Sequence, residues 1–217
     1  MRYKLGRDIV VRSENAAKPA TQPSSYLVKL LLKLPHVTTS FDMGCGKLRY
    51  SETILKRTDT LALVDSEVQL SRRQVLNKKF TSIREITKRS NRVTAYNDVE
   101  FTKVPPRFDR GFCINVLSVV PIYAVRVRIL ESIKAHLDDQ AECLFVVQYR
   151  NSDFSRMRQL PNARCWRDGF LIDSLRGYSF YGLISPERLL SKLRATGFVV
   201  QDVTLNEGSA YVWATPK

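Results

Sequence analysis

The run Phe41-Asp42-Met43-Gly44-Cys45-Gly46 sets a carboxylate beside two closely spaced glycines. Glycines directly after a strand let the backbone turn tightly and approach a ligand, and the helix that follows presents free N–H groups to it. Twenty-one residues past Gly44 stands Asp65, where a carboxylate can accept two hydrogen bonds from ribose hydroxyls, as in dinucleotide sites. The GxGxxG fingerprint of nicotinamide enzymes fails at its sixth position, Arg49, and the phosphate-binding GxxxxGK[ST] is absent. The spacing therefore reads as a nucleoside site. The alternative is an ordinary strand-to-helix turn that Asp42 merely orients.

The elements that must position these residues alternate along the chain. After a polar opening, Ser24-Ser25 caps an apolar helix from Tyr26 to Leu34 that Pro35 ends. Strands fit Thr38–Met43, Thr60–Val64, Arg92–Tyr96, Arg110–Val116, Glu142–Tyr149, Gly197–Leu205 and Ser209–Thr215. Helices fit Leu48–Arg57, Glu67–Phe80, Tyr123–Leu137 and Pro186–Thr196, the last opened by Ser185-Pro186-Glu187. Strands separated by helices imply a parallel sheet covered on both faces. Only Asn206-Glu207-Gly208 separates the last two strands, which makes them a hairpin with an antiparallel strand. The expected fold is α/β, with a mostly parallel, doubly wound sheet of seven strands and a C-terminal antiparallel hairpin.

Asp42-Met-Gly44-Cys-Gly46, Val64-Asp65, Asn97-Asp98-Val99 and Phe108-Asp109 leading into Cys113-Ile-Asn115-Val-Leu117 together resemble the motif series of class I S-adenosylmethionine-dependent methyltransferases. The resemblance covers residues 26–217, including Gly197-Phe-Val-Val and the hairpin. It implies S-adenosylmethionine as cofactor and S-adenosylhomocysteine as product. It also implies that Asp42, Gly44, Cys45 and Gly46 line the methionine end, Asp65 takes the ribose hydroxyls, and Asp98 with Val99 meets the adenine. Asn115 would face the sulfonium and the incoming nucleophile at the end of the fourth strand, with Tyr149 the candidate beside it from the end of the fifth. The family's third glycine is Leu48 here, and Lys47 and Arg49 add positive charge beside the cofactor. Each residue also has a plainer reading: Cys45 as a small packing residue, Asp98 as part of a turn, and Asp109 as a structural residue.

Methyl transfer from a sulfonium is an in-line displacement whose leaving group is already activated, so no catalytic dyad is required and none is evident. Neither the [DNS]-P-P-[YF] signature of amino-directed DNA enzymes nor a Pro-Cys nucleophile follows the fourth strand, and Pro105-Pro106-Arg107 ahead of it reads as a loop. Two regions are candidates for recognising an acceptor. From Ser71 to Arg92 there are eight Lys or Arg and one acid, a net +7 that is half the chain's +14. This is either a phosphate-binding face or a solvated helix face. From Tyr149 to Tyr181 stand seven of the 21 aromatics, among them Phe154, Trp166, Phe170, Tyr178 and Phe180, mixed with arginines including Arg150, Arg156, Arg158 and Arg164. So long a stretch between elements suggests a lid at about residues 150–181, with Arg150, Trp166, Tyr178 and Tyr181 as substrate contacts. The alternative is a small subdomain with its own core. Residues 1–25 form an N-terminal arm ahead of a single domain, 26–217.

A chain of 217 residues with 44% apolar content builds a full core. The surplus of Lys and Arg over Asp and Glu, 35 to 21, favours a polyanionic partner or substrate. Nucleic acid, RNA or nucleotide, leads, with a small molecule as runner-up and a catalytically silent binding subunit as a third reading. Four scattered cysteines without CxxC and two distant histidines argue for reduced thiols and no metal. With no long apolar run and no signal peptide, a cytoplasmic protein away from the membrane is expected.

Overall fold

A computed structural model of the chain describes residues 2–76, 78–105, 108–150, 156–157 and 159–217. Pro106, Arg107, Phe154 and Arg158, singled out above, lie outside the described residues. The chain opens with an antiparallel hairpin of β1 (Arg2–Lys4) and β2 (Val10–Arg12), then a 3-10 turn over Ser13–Ala16. Helix α1 (Ser25–Lys33) begins where Ser24 Oγ accepts from the Leu27 amide at 3.3 Å, and stops at Leu34, which the following proline holds extended. There follow β3 (Val37–Met43), α2 (Ser51–Leu55), β4 (Thr58–Val64), α3 (Glu67–Ser71), β5 (Gln74–Leu76), β6 (Lys79–Thr81), α4 (Ile83–Thr87), β7 (Val93–Tyr96) and α5 (Asp98–Phe101). The second half carries β8 (Phe108–Ile114), α6 (Tyr123–His136), β9 (Leu137–Gln148), β10 (Ala163–Trp166), β11 (Gly169–Ile172), β12 (Ser179–Gly182), α7 (Pro186–Ala195), β13 (Phe198–Asn206) and β14 (Ser209–Pro216).

Seven strands form one sheet in the order β13-β14-β9-β8-β3-β4-β7, in which only β14 runs against the rest. Side chains alternate across it. Phe41, Met43, Ala62, Val64, Phe145 and Val147 face one way, onto Leu130 and Ile133 of α6 and Leu189 and Leu193 of α7. Leu61, Leu63, Phe112, Leu144 and Val146 face the other, onto Leu27 and Leu31 of α1, Ile54 of α2 and Ile83 of α4. Two apolar faces in one sheet require helices on both sides, as the alternating elements predict. Strand order reverses at β3, whose Met43 pairs with Val64 of β4 on one side and Cys113 of β8 on the other. Gly44, Asp65 and Asn115 therefore leave the sheet along one edge, at the switch point.

Three elements depart from the sequence expectation. The basic stretch Glu67–Phe80 is helical only to Ser71, and then becomes the two-stranded hairpin β5–β6. Arg72 is already extended, and Lys78 takes φ +66 in the turn. The helix after the glycine turn starts at Ser51 rather than Leu48, because Leu48 itself is left-handed (φ +60). Strand β9 begins directly at the end of α6, five residues earlier than expected from Glu142.

Between β9 and α7, the strands β10, β11 and β12 form a separate three-stranded antiparallel sheet. It packs on the N-terminal hairpin: Tyr3 and Val11 share a buried cluster with Val120, Leu171 and Phe180, and the Arg12 amide donates to Tyr178 O at 2.8 Å. The buried Arg126 of α6 fastens this sheet to the core. Its guanidinium forms a two-pronged ion pair with Asp168 and donates to Val120 O at 2.6 Å. Asp109, read as structural, accepts from the Thr39 amide at 2.8 Å and its hydroxyl at 3.0 Å.

Candidate active site

The glycine turn and Asp65 form a single unit. Gly44 (φ +74) donates its amide to Val64 O at 2.7 Å, and a Cβ there would stand 2.4 Å from Val116 Cγ2. Only glycine fits that space and that backbone. The Gly46 amide donates to one Asp65 oxygen at 2.9 Å, and the Ser66 amide to the other at 2.7 Å. Gln69 Nε2 of α3 donates to Gly46 O at 2.5 Å. A carboxylate has about four lone-pair directions, so Asp65 retains acceptor capacity for a ligand after bracing the turn.

These residues line a cavity of about 800 Å³ at the switch point. Asp42 forms its floor. It is 4% exposed, and burial, with the Asp65 charge adding to it, pushes its carboxyl up to about 7, while Ser51 Oγ at 3.4 Å pulls the other way. Burial also raises Asp65, against the pull of the Gly46 and Ser66 amides. The Cys45 and Cys113 thiols are pushed up by burial and by the neighbouring carboxylates, so both stay neutral at pH 7 and neither is a thiolate nucleophile.

Asp42, Gly44, Cys45, Gly46, Asp65, Asp98, Val99 and Asn115 are separated by up to 73 positions in sequence, and all line this one cavity. Asp98 and Val99 sit at the start of α5, where Asn97 rather than Asp98 caps the helix by accepting from the Val99 and Glu100 amides. Asn115 ends β8 with φ +61, a conformation asparagine tolerates, and its amide donates to Val146 O at 2.8 Å. Of the four suggested substrate contacts, only Tyr181 lines the cavity. Tyr149 packs against the main apolar cluster, and Arg150 is exposed beside it. Trp166 and Tyr178 pack around the third cluster, with the Arg164 guanidinium 5.2 Å over the Tyr178 ring.

The cavity also has walls that the sequence did not suggest. Tyr3 and Glu14 reach it from the N-terminal arm, Gln69 from α3, Ser118 from the turn after β8 and Arg128 from α6. Tyr3 is buried, and burial together with the Asp65 charge raises its phenol. No periodicity or local motif marks these positions. Only pairing of β1 with β2, and of Arg12 with Tyr178, brings residues 3 and 14 over the glycine turn. Among the described residues no group of His, Cys, Asp and Glu could hold a metal ion, and no helix is long and apolar enough to cross a membrane.

The cradle suits a nucleoside bearing positive charge: a left-handed glycine turn whose Gly44 leaves no room for a side chain, a braced carboxylate with spare acceptor capacity, and a buried carboxyl on the floor. No family model matches the chain. The uncharacterized protein YmfD of Escherichia coli (strain K12) is 33% identical over 205 residues, 93% of this chain and 90% of YmfD. Among solved structures, the PH0226 protein of Pyrococcus horikoshii OT3 superposes with a TM-score of 0.64 at 14% identity, covering 88% of this chain and 87% of its own. The Burkholderia thailandensis 1,6-didemethyltoxoflavin-N1-methyltransferase, with 1,6-didemethyltoxoflavin and S-adenosylhomocysteine bound, superposes at 0.58 and 18% identity, covering 91% and 78%. The chain thus belongs to the family of YmfD, and its fold is that of the class I S-adenosylmethionine-dependent methyltransferases.

Proposed function

We propose that this chain is an S-adenosylmethionine-dependent methyltransferase. The observation that carries the reading is the convergence of Asp42, Gly44, Gly46, Asp65, Asp98 and Asn115 on one cavity. Asp65 would hold the ribose hydroxyls, Asp98 and Val99 the adenine, and the glycine turn with Asp42 the methionine end. When bound, the cofactor supplies an activated methyl group on a sulfonium. Asn115 and the adjoining Ser118 and Tyr181 wall the part of the cavity where an acceptor would lie. The N-terminal hairpin and the β10–β12 sheet would act together as the cover that keeps water from the reacting atoms.

Nucleic acid is the acceptor class that the +14 charge favours. A small molecule is favoured instead by the aliphatic wall of Val116, Val120, Ile122, Val125 and Ile129, and the Burkholderia enzyme is named for a small heterocycle. Calorimetric titration with S-adenosylmethionine and S-adenosylhomocysteine tests the reading. Micromolar binding of either supports it, and labelled-methyl transfer to RNA then separates the acceptors. A protein that binds neither compound is a methyltransferase fold without that activity.

A further inference from the structure

The β5–β6 hairpin presents two faces of opposite character. On one, Gln74 and Leu76 are buried, and Leu76 belongs to the core cluster with Leu70 and Ile83. On the other, Val75 and Phe80 are direct cross-strand partners and stand 68% and 64% exposed. The hairpin is thus anchored firmly while holding an aromatic ring out to solvent. The Arg73 guanidinium lies 5.1 Å from the centre of that ring, and Arg72, Lys78 and Lys79 add positive charge at neighbouring positions of the same hairpin, Lys79 on the side of its partner Leu76.

The neighbouring acids offset this charge only in part: Glu85, the one acid between Ser71 and Arg92, has its carboxyl held down by hydrogen bonds from Thr81 and Ser82 and partly by the charges of Arg73 and Arg89. Glu67 and Glu100 are both held by Arg84, at 2.5 and 2.7 Å, and Glu85 accepts from Thr81 Oγ1 and the Ser82 amide. Among the described residues Arg72, Arg73, Lys78, Lys79, Lys88 and Arg89 form no ion pair. Of these cations, Arg72 is felt at the cavity wall. Lys47 lines the cavity, and burial together with the charges of Arg72 and Arg176 holds its ammonium below the usual lysine range.

We propose that the β5–β6 hairpin is a docking platform for single-stranded RNA, with Phe80 and Arg73 stacking an unpaired base and Arg72, Lys78 and Lys79 holding flanking phosphates. An exposed ring with cations at neighbouring positions suits unpaired bases, because every base offers a π-face once it is unstacked, while a duplex hides those faces. Folded RNA presents such bases in its loops and ends. A strand held here leads past Arg72 toward Lys47 and the cavity mouth. The platform's role in delivering an acceptor rests on the methyl-transfer reading; its binding of RNA does not.

The test is fluorescence anisotropy of the full chain with a labelled, unstructured RNA of about 20 nucleotides, without cofactor. Three phosphates neutralised on a single strand give a salt slope of about −2, so affinity should fall roughly 20-fold between about 50 and 200 mM salt. Phe80→Ala should weaken binding about tenfold through lost stacking, with the calorimetric affinity for S-adenosylmethionine unchanged because Phe80 lies outside the cavity. Equal RNA binding by Phe80→Ala and wild type overturns the platform. So does equal binding of the matching duplex, or of polyglutamate of the same charge, which would assign the hairpin to acidic protein surfaces. Cofactor binding without RNA binding sinks this inference alone; RNA binding without cofactor binding sinks the methyl-transfer reading alone.

Discussion

Replacing Asp42 by Asn should stabilise the ligand-free protein near neutral pH while weakening its grip on a cationic cofactor. The buried carboxyl is raised from 3.8 to about 7, a shift of roughly three pKa units, or about 4 kcal/mol at ~1.4 kcal/mol per unit. Between those two values the folded chain keeps a proton that the unfolded chain has released. The unfolded state then binds fewer protons, so stability falls as pH rises through this window, by about 1.4 kcal/mol per pH unit. The stabilisation is fully present below about pH 4 and gone above about pH 7. The amide that Asp42→Asn puts in its place has no proton to lose. Urea unfolding of both proteins should therefore show the variant's advantage growing by about 3 kcal/mol between about pH 5 and pH 8. A constant difference across that range refutes the account. The same carboxyl makes cofactor binding proton-linked: at about pH 6 a bound cation should expel close to one proton, measurable by titration in buffers of different ionisation enthalpy. If Asp42 faces the sulfonium, the preference for S-adenosylmethionine over S-adenosylhomocysteine should rise with pH. If it faces the amino group that both compounds carry, the two affinities should rise in parallel.

Asp65→Ala should weaken S-adenosylmethionine binding by at least ~1 kcal/mol, since ribose hydroxyls lose a charged acceptor and the Gly46 and Ser66 amides lose their brace; unchanged calorimetric affinity would remove the ribose assignment. Gly44→Val should abolish cofactor binding. Gly44→Ala, whose Cβ meets Val116 Cγ2 at 2.4 Å, should be partly rescued by adding Val116→Ala, and a double variant no better than the single would show that the contact is not the obstacle. Asp168→Asn leaves the Arg126 guanidinium, 2% exposed, without its counter-charge, and should cost about 3 kcal/mol in urea unfolding, together with faster proteolysis of the β10–β12 sheet. An unaltered midpoint would mean that this pair does not fasten the insertion.

What could be read from the sequence was chemistry confined to one turn or one strand end. Gly44, Gly46 and Asp65 were legible because a tight turn needs residues without side chains and a strand end needs one acid, and both requirements leave a trace in residue type and spacing. The hairpin at Gln74–Thr81 was not. Gln69 and Leu76 bury seven residues apart, a spacing that a helix also satisfies, and each strand is three residues long, too short for alternation to show. Tyr149 illustrates another ambiguity, since an aromatic residue at the end of a central strand looks the same in sequence whether it packs or lines a cavity. Tyr3 and Glu14 were invisible for a topological reason: they reach the glycine turn only through pairing of the arm with a strand more than 160 residues away.

The charge distribution adds a reason to regard the cavity as functional. A chain with a surplus of 14 positive charges nonetheless places Glu14, Asp42, Asp65 and Asp98 around one cavity. The Asp65 charge raises the cost of ionising Asp42 on top of burial. A fold selected for stability alone would replace Asp42 by a neutral side chain of the same shape, because Ser51 gives it only one long hydrogen bond. Such an arrangement destabilises the empty protein and would be offset when a cation enters, and carboxyls raised by burial and a nearby like charge cluster at functional sites. The floor thus selects for positive charge, while Arg2, Lys4, Lys47, Arg49 and Arg128 at other points of the same lining select for negative charge. One cavity with both preferences would suit the proposed pairing of a cationic methyl donor with an anionic acceptor, which a uniformly charged pocket would oppose.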